Sequence, residues 1–390
     1  MKKFLIFALC GMIAAGMTGC KDKKNEETKT DTVTPSAKEV ALEKAMKPYV
    51  ENTVIATYSN MASEGITLLR ECEQILTAVG ERQDYTDLMR NAGLTWRRMR
   101  VYWEQSEAFL FGPAEKHNID PHIDSWPLDF NEMNRLLNDD NRMAAIEEQG
   151  GAYVGDMLGY ALKGFHAAEY LLFTAGQPHA CDLTHAQAVY LVGIVEDLAQ
   201  QAILLEDCWA GTVSAEKEAV ITDSEGESMS YGENWGEYFI NAGKAGSIYK
   251  TYQEAAEQVI EGCVTIAGEV ADLKMGNPYK GSDNGGDSEY LESPYSRTST
   301  IDFADNIRSI QNAYQGAKEG DASISDYVKS VDDELDNRVK VAIAESIGAI
   351  ESIIDFETKA QGNSDVEKAI NKVSALSEIL NNEVLPLLSK

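Results

Sequence analysis

Apolar residues in this chain recur at intervals of three and four over almost its whole length. Nowhere do apolar and polar residues alternate for long enough to build a sheet. That regularity restricts the chain to helices packed on helices. The fold class it predicts is all-α: two packed helical-bundle domains, over residues 39–225 and 234–390, in the manner of a duplicated up-down bundle. The first half reads as helix over 40–78, with a break near Pro48 and a new start near Asn52, and then over 84–111, stopped by Gly112-Pro113. A short helix near 131–138 and a longer one over 152–174 follow, then 184–209 with Thr184 as its cap. The second half reads as helix over 237–273, 300–315, 324–356 and 364–387. Residues 112–130, 221–236 and 275–289 carry the Pro, Gly, Ser and Asp of loops. Segments 106–109 and 292–295 each set an acid beside an aromatic residue, as counterparts left by a duplication would.

The chain opens like an exported protein. Lys2 and Lys3 precede an apolar run over 4–15, and Met17-Thr18-Gly19-Cys20 follows in the order of a bacterial lipobox. Residues 1–19 are therefore expected to be a lipoprotein signal peptide, with lipid on Cys20; a cleaved secretory signal with a chance cysteine is the alternative. Residues 20–38 are charged and polar and read as a flexible tether. The expected address is the cell envelope, at the outer membrane or periplasmic face, anchored to the membrane through Cys20. No later stretch is expected to span a bilayer. A formal charge of 34 − 64 = −30 argues against nucleic acid as a partner and suits either solubility or the attraction of cations. Beyond Cys10 and Cys20 there are Cys72, Cys181, Cys208 and Cys263. An oxidising compartment permits disulfides, and four cysteines allow three full pairings among which the sequence does not choose. Cys72 and Cys263 sit in helical patterns, where small buried side chains also fit.

The apolar stripe of 152–174 is interrupted where a leucine belongs. Leu158, Leu162, Phe165 and Leu172 mark its inward face, Glu169 falls on that face, and His166 lies three residues earlier. A carboxylate and an imidazole turned into a core are costly unless each finds a partner. A His and a Glu at this spacing can hold one metal ion from a single helical face if a third ligand is supplied. Glu107 is the expected third, on the Trp96, Met99, Trp103, Leu110 stripe of the 84–111 helix, where Arg97, Arg98 and Arg100 could neutralise it. Such donors suit iron, zinc or manganese. The HExxH helix of zinc peptidases is absent, and so is the doubled ExxH of di-iron bundles. The plainer alternative is that His166 and Glu169 bond each other or an Arg and only fix helix register. In the ligand reading an aliphatic residue at 169 would suit the stripe and leave the fold intact. His117, His122, His179 and His185 lie in or near loops and are expected at the surface, and no Cys–His pair or GxSxG points to a nucleophile.

Gly164-Phe165-His166-Ala167-Ala168-Glu169 matches the GxHxxE motif of the imelysin family of envelope proteins. Residues 104–113, EQSEAFLFGP, followed by 123–129, IDSWPLD, resemble that family's second signature, with Leu110 where the family often has Arg. Residues 292–296, ESPYS, are similar to a third. The resemblance implies two helical bundles side by side, with the GxHxxE helix near their interface. It implies a polar pocket drawing on Gly164, Arg100, Asp124, Trp126, Glu292, Ser293 and Ser296. It also implies a part in iron acquisition, with envelope iron-uptake partners. Two functions follow as expectations. One is binding of a divalent metal, iron or zinc, or of an iron-bearing ligand, with His166, Glu169 and Glu107 as metal ligands. The other is a single-metal peptidase of the imelysin type, with Glu107 or Glu169 as the catalytic carboxylate.

Overall fold

The computed structural model describes residues 35–223 and 225–390. The expected signal peptide, Cys20 and most of the expected tether lie outside the described residues. Ser36–Lys390 forms one compact unit. It is all-α: among the described residues the only strands are a two-residue hairpin, Phe173–Thr174 against Gln177–Pro178.

The principal helices are α1 (Ala37–Pro48), α2 (Ala56–Glu81), α3 (Thr86–Glu104), α4 (Gly164–Leu172), α5 (His185–Ala210), α6 (Tyr252–Glu269), α7 (Ser299–Gln315), α8 (Asp333–Glu351) and α9 (Ser364–Ile379). In the first half, α3 and α5 each pack along α2, and α4 closes against α3 and α5. In the second half, α7 and α9 each pack against both α6 and α8. The halves join where α3 meets α7 and where the turn Glu107–Phe109 wedges onto α6 and α7. One hydrophobic core runs through both groups. Helix α1 precedes the first group in sequence yet packs against α6.

Helix α5 is the axis of the first group. Thr184 and Gln187 form a capping box at its start, and Gly211, at φ 74°, ends it. By length and hydropathy it could cross a membrane, contrary to expectation. Of its most apolar window, however, 89% is buried within the protein, so its apolar surface is satisfied by neighbouring helices.

Several expected boundaries move, each for a local reason. Pro48 does not break the first helix. It has no N–H to donate, and the chain continues through a π-helical run, Tyr49–Ile55, directly into α2. Helix α3 stops at Glu104, short of 111, because the Ser106 hydroxyl donates to the Trp103 carbonyl (2.7 Å) and competes with the helical ladder. Glu107 therefore sits in a 3₁₀ turn, off the stripe. The expected helix over 237–273 is interrupted between Ile240 and Tyr252, where Gly243 and Gly246 adopt positive φ. Asp332 divides 324–356 by capping the start of α8. A helix over Asp140–Gln149 was not anticipated. The described cysteines are all free: Cys72, Cys208 and Cys263 as buried thiols and Cys181 exposed.

The break that matters most lies inside 152–174. Helix Gly151–Met157 ends, Tyr160–Leu162 forms one 3₁₀ turn, and α4 begins afresh at Gly164. The buried Lys163 donates to the Gly155 carbonyl (2.6 Å), satisfying the end of the first piece. Gly164 has φ +75°, and a Cβ there would lie 2.1 Å from the Ile123 carbonyl oxygen. Only glycine permits both the turn and that approach. Gly164→Ala is expected to destabilise the protein by about 2 kcal/mol or more, read as a lower urea midpoint at unchanged slope.

Candidate functional site

Four short stretches meet at the joint between the halves. Helix α3 supplies Arg100, Trp103 and Glu104; the segment after helix Ile119–Ile123 supplies Asp124 and Trp126; α4 supplies His166 and Glu169; residues 292–296 close over them. Arg100 is 1% exposed. Its guanidinium donates to Asp124, pairs with Glu104 (2.6 Å) and donates to Glu292 (3.0 Å), and it lies over the Phe165 ring. The Trp103 indole N–H donates to the other Asp124 oxygen (2.7 Å). Lys274, just beyond α6 and 2% exposed, donates to Glu292 (2.8 Å) and to Glu107 (3.2 Å). Arg100 and Lys274 thus share Glu292, and acids of both halves surround them.

His166 touches two carboxylates. Its Nδ1 faces Glu169 Oε2 at 3.4 Å. Its Nε2 comes within 2.9 Å of Asp124 Oδ1 but is not aligned to share a hydrogen with it, so this buried nitrogen has no aligned partner. The second Glu292 oxygen and the Trp126 indole N–H are also buried and unpartnered. His166 and Glu292 both line a cavity of about 240 Å³ whose walls include Trp126, Leu291, Pro294 and Tyr295. A second cleft, of about 490 Å³, reaches the cluster from Glu107, with Asp120 and Glu269 on its walls.

The cluster holds more acid than base, and protonation adjusts to that excess. Burial pushes the Glu104 carboxyl up to about 7 against the pull of Arg100 and Lys274. Burial likewise raises Glu107 and Asp302, and raises Asp120 to about 6 with help from the Asp124 charge. Asp124 goes the other way: burial opposes its ionisation, but Arg100 and His166 hold it well below the usual carboxylate range. Burial would lower His166, and contact with Asp124 and Glu169 outweighs it, placing the imidazole at about 9.

Residues 54–382 match the profile of the Imelysin family. The chain belongs to that family. It is 26% identical over 347 residues to iron-regulated protein A of Synechococcus elongatus, covering 87% of this chain and 85% of that one. It is similar to a solved structure from Parabacteroides distasonis that carries the name iron-regulated protein A precursor, at a TM-score of 0.73 and 25% identity over 92% of this chain and 97% of that one. An imelysin-like protein from Psychrobacter arcticum shares the fold, with a TM-score of 0.65 at 11% identity over 90% of this chain and 96% of that one.

The three imelysin signatures converge in space, with a division of labour that the spacing alone did not predict. Glu169 approaches His166 with one oxygen, but its other oxygen accepts from the backbone N–H of Tyr295 (3.1 Å) and from the N–H and hydroxyl of Ser296 (both 2.7 Å). It anchors the 292–296 segment, so an aliphatic residue would not leave the fold untouched. Glu107 is paired with Lys274 instead of an arginine, and Asp124 takes the place beside His166 expected for Glu107. Arg100, Asp124, Trp126, Glu292 and Ser296 are all present at the cluster. Ser293 stands behind it, donating to Asp302, and Gly164 shapes the turn that admits Ile123. Arg97 is turned to the carbonyls of Gly176 and Ser296, and Arg98 to Glu64. His179 and His185 are toward the surface, whereas His117 and His122 are partly buried and face Glu233 and Asp197. Sequence reasoning missed Lys274. It lies on the Ala267, Val270, Ala271 face, where a charge breaks an apolar stripe as Glu169 does.

Glu169→Leu is expected to cost about 2–4 kcal/mol, because it leaves the buried donors of Ser296 and the partly buried N–H of Tyr295 without their acceptor. Glu169→Gln, which keeps an acceptor, is expected to cost less; denaturant midpoints of the two variants check this. The titrations predict a second outcome. His166, Glu104 and Asp120 are raised in the folded chain, so the stability they contribute is complete below their ordinary values and is lost as pH rises through about 6, 7 and 9. Asp124 is lowered, so its contribution is present above its ordinary value and disappears only in strong acid. The metal-free protein should have a lower urea midpoint at pH 9 than at pH 5.5.

Proposed function

We propose that this protein binds a metal ion, or a small iron-bearing ligand, in the cavity lined by His166 and Glu292, and that it serves iron acquisition in the cell envelope. The observation that carries the reading is that His166 and Glu292, each with a buried side-chain atom lacking an aligned partner (Nε2 and one carboxylate oxygen), line the same cavity. Imidazole nitrogen and carboxylate oxygen suit iron and zinc, and the neighbouring Asp124 offers a further oxygen. The excess of acids around Arg100 and Lys274 favours an incoming cation, which replaces protons the carboxyls otherwise retain. The names of the relatives from Synechococcus elongatus and Parabacteroides distasonis favour iron.

At the His166 cavity, size favours holding over cutting. A cavity of about 240 Å³ is smaller than the clefts of roughly 300–1,000 Å³ that take drug-sized ligands. It suits an ion with waters or a small chelator better than an extended peptide. Glu169, one of two carboxylates considered as a peptidase base, is committed to the 292–296 segment.

After chelator treatment, the chain is titrated anaerobically with Fe²⁺ and the bound metal counted after gel filtration. One His166-dependent ion per chain is expected. Affinity should fall about tenfold or more in His166→Ala and in Glu292→Gln with circular dichroism unchanged, and should rise with pH from 6 to 9 as the imidazole loses its proton. Binding equal to wild type in both variants would overturn the proposal. The lipobox-like start supports the envelope address; metabolic labelling with palmitate, expected in the wild type and lost in Cys20→Ala, tests the anchor.

A further inference from the structure

We propose that the chain has a second metal site, separate from the His166 cavity, made by His117, Cys208 and Glu233. One ligand atom of each lies within 4.8 Å of the other two. These residues share no element. Cys208 is in the last turn of α5, His117 ends the short helix Pro113–Lys116, and Glu233 lies on the stretch that returns over the α5 terminus.

The arrangement is held from several sides. The Ser230 hydroxyl donates to Asp207, and the Asn234 amide donates to the Ala210 carbonyl (3.2 Å), which fastens the returning stretch to the helix end. The His117 ring stacks flat on Tyr231, with centroids 3.6 Å apart and planes within 8°. Glu233 accepts from the Trp235 indole (2.6 Å) and from Lys116, and faces His117 Nε2 at 3.3 Å. Cys208 forms the floor. Its thiol is free, fully buried, and makes no hydrogen bond among the described residues. The His117 and Glu233 side chains are 14% and 17% exposed, so an ion would enter from their side.

Sulfur, imidazole nitrogen and carboxylate oxygen together select a borderline-soft divalent cation, with zinc the best match. Bonds of about 2.0–2.3 Å in a tetrahedral site put ligand atoms roughly 3.3–3.8 Å apart. Closing the present spacing takes about 1 Å of side-chain movement at His117 and Glu233. On binding, a metal–sulfur bond forms and the thiol proton passes to solvent, with no change in oxidation state. Three protein ligands leave a fourth position for water or an external ligand.

Cobalt(II) reports such a site directly, because a bound thiolate adds a charge-transfer band in the near ultraviolet. The full chain, reduced and in a Cys181→Ser background to remove the one exposed thiol among the described residues, is titrated with Co²⁺. The band should saturate at one equivalent, be displaced by Zn²⁺, persist in His166→Ala, and disappear in both Cys208→Ala and His117→Ala. If Cys208→Ala fails to fold, His117→Ala, at the partly exposed edge, still decides the question. No band in the parent chain, or a band that survives in the folded variants, would overturn the site. Because the iron titration is read through His166, failure of either site leaves the other standing.

Discussion

Two buried cations hold this molecule's joint together. Arg100 and Lys274 are almost wholly buried, and a buried charge costs several kcal/mol unless it is paired in good geometry. Their partners come from three places in the chain: Glu104 and Glu107 at and after the end of α3, Asp124 from the irregular stretch that follows, and Glu292 from the second half. Each acid must reach its place for the cations to be tolerated. The electrostatic demand therefore fixes how α3 meets the second group, where the 292–296 segment closes, and how the turn at Glu107 is seated.

Stability alone is a weak reason for such a network. Apolar residues of similar volume often replace buried ion pairs at no loss, whereas removing one member costs about 3–5 kcal/mol. The cluster also does not balance: acids outnumber bases, several carboxyls are pushed toward protonation, and His166 Nε2 and one Glu292 oxygen lack aligned partners where a cavity reaches them. Glu169 supports the cluster from behind, spending one carboxylate oxygen on the backbone of Tyr295 and Ser296 and so setting one wall of the cavity.

Much of this was legible in the chain as written. Thr184 announced α5, and His166 and Glu169 stood out because they broke a stripe, whereas Gly112-Pro113, read as the stop of a helix over 84–111, lies well beyond the end of α3 at Glu104. The same reading failed where a side chain reached out of its own segment. Ser106 turns back on Trp103 and ends α3 early; Lys163 reaches Gly155 and Gly164 turns with positive φ, dividing what looked like one helix. Periodicity describes which residues face inward, not what they meet there. Glu107 and Asp124 are both inward-reaching acids, and the choice of Asp124 for His166 and of Glu107 for Lys274 depends on contacts between residues far apart in sequence.

The sequence by itself determined the helical class, most of the long helices and the fact that charged groups enter the core, because these follow from local spacing and capping chemistry. The tertiary structure alone decided which charges pair, that Glu169 fastens a distant segment, and that His117, Cys208 and Glu233 converge at one end of α5. Those outcomes depend on distances across the fold, and electrostatic and coordination energies change steeply over the few ångströms that spacing along a chain cannot specify.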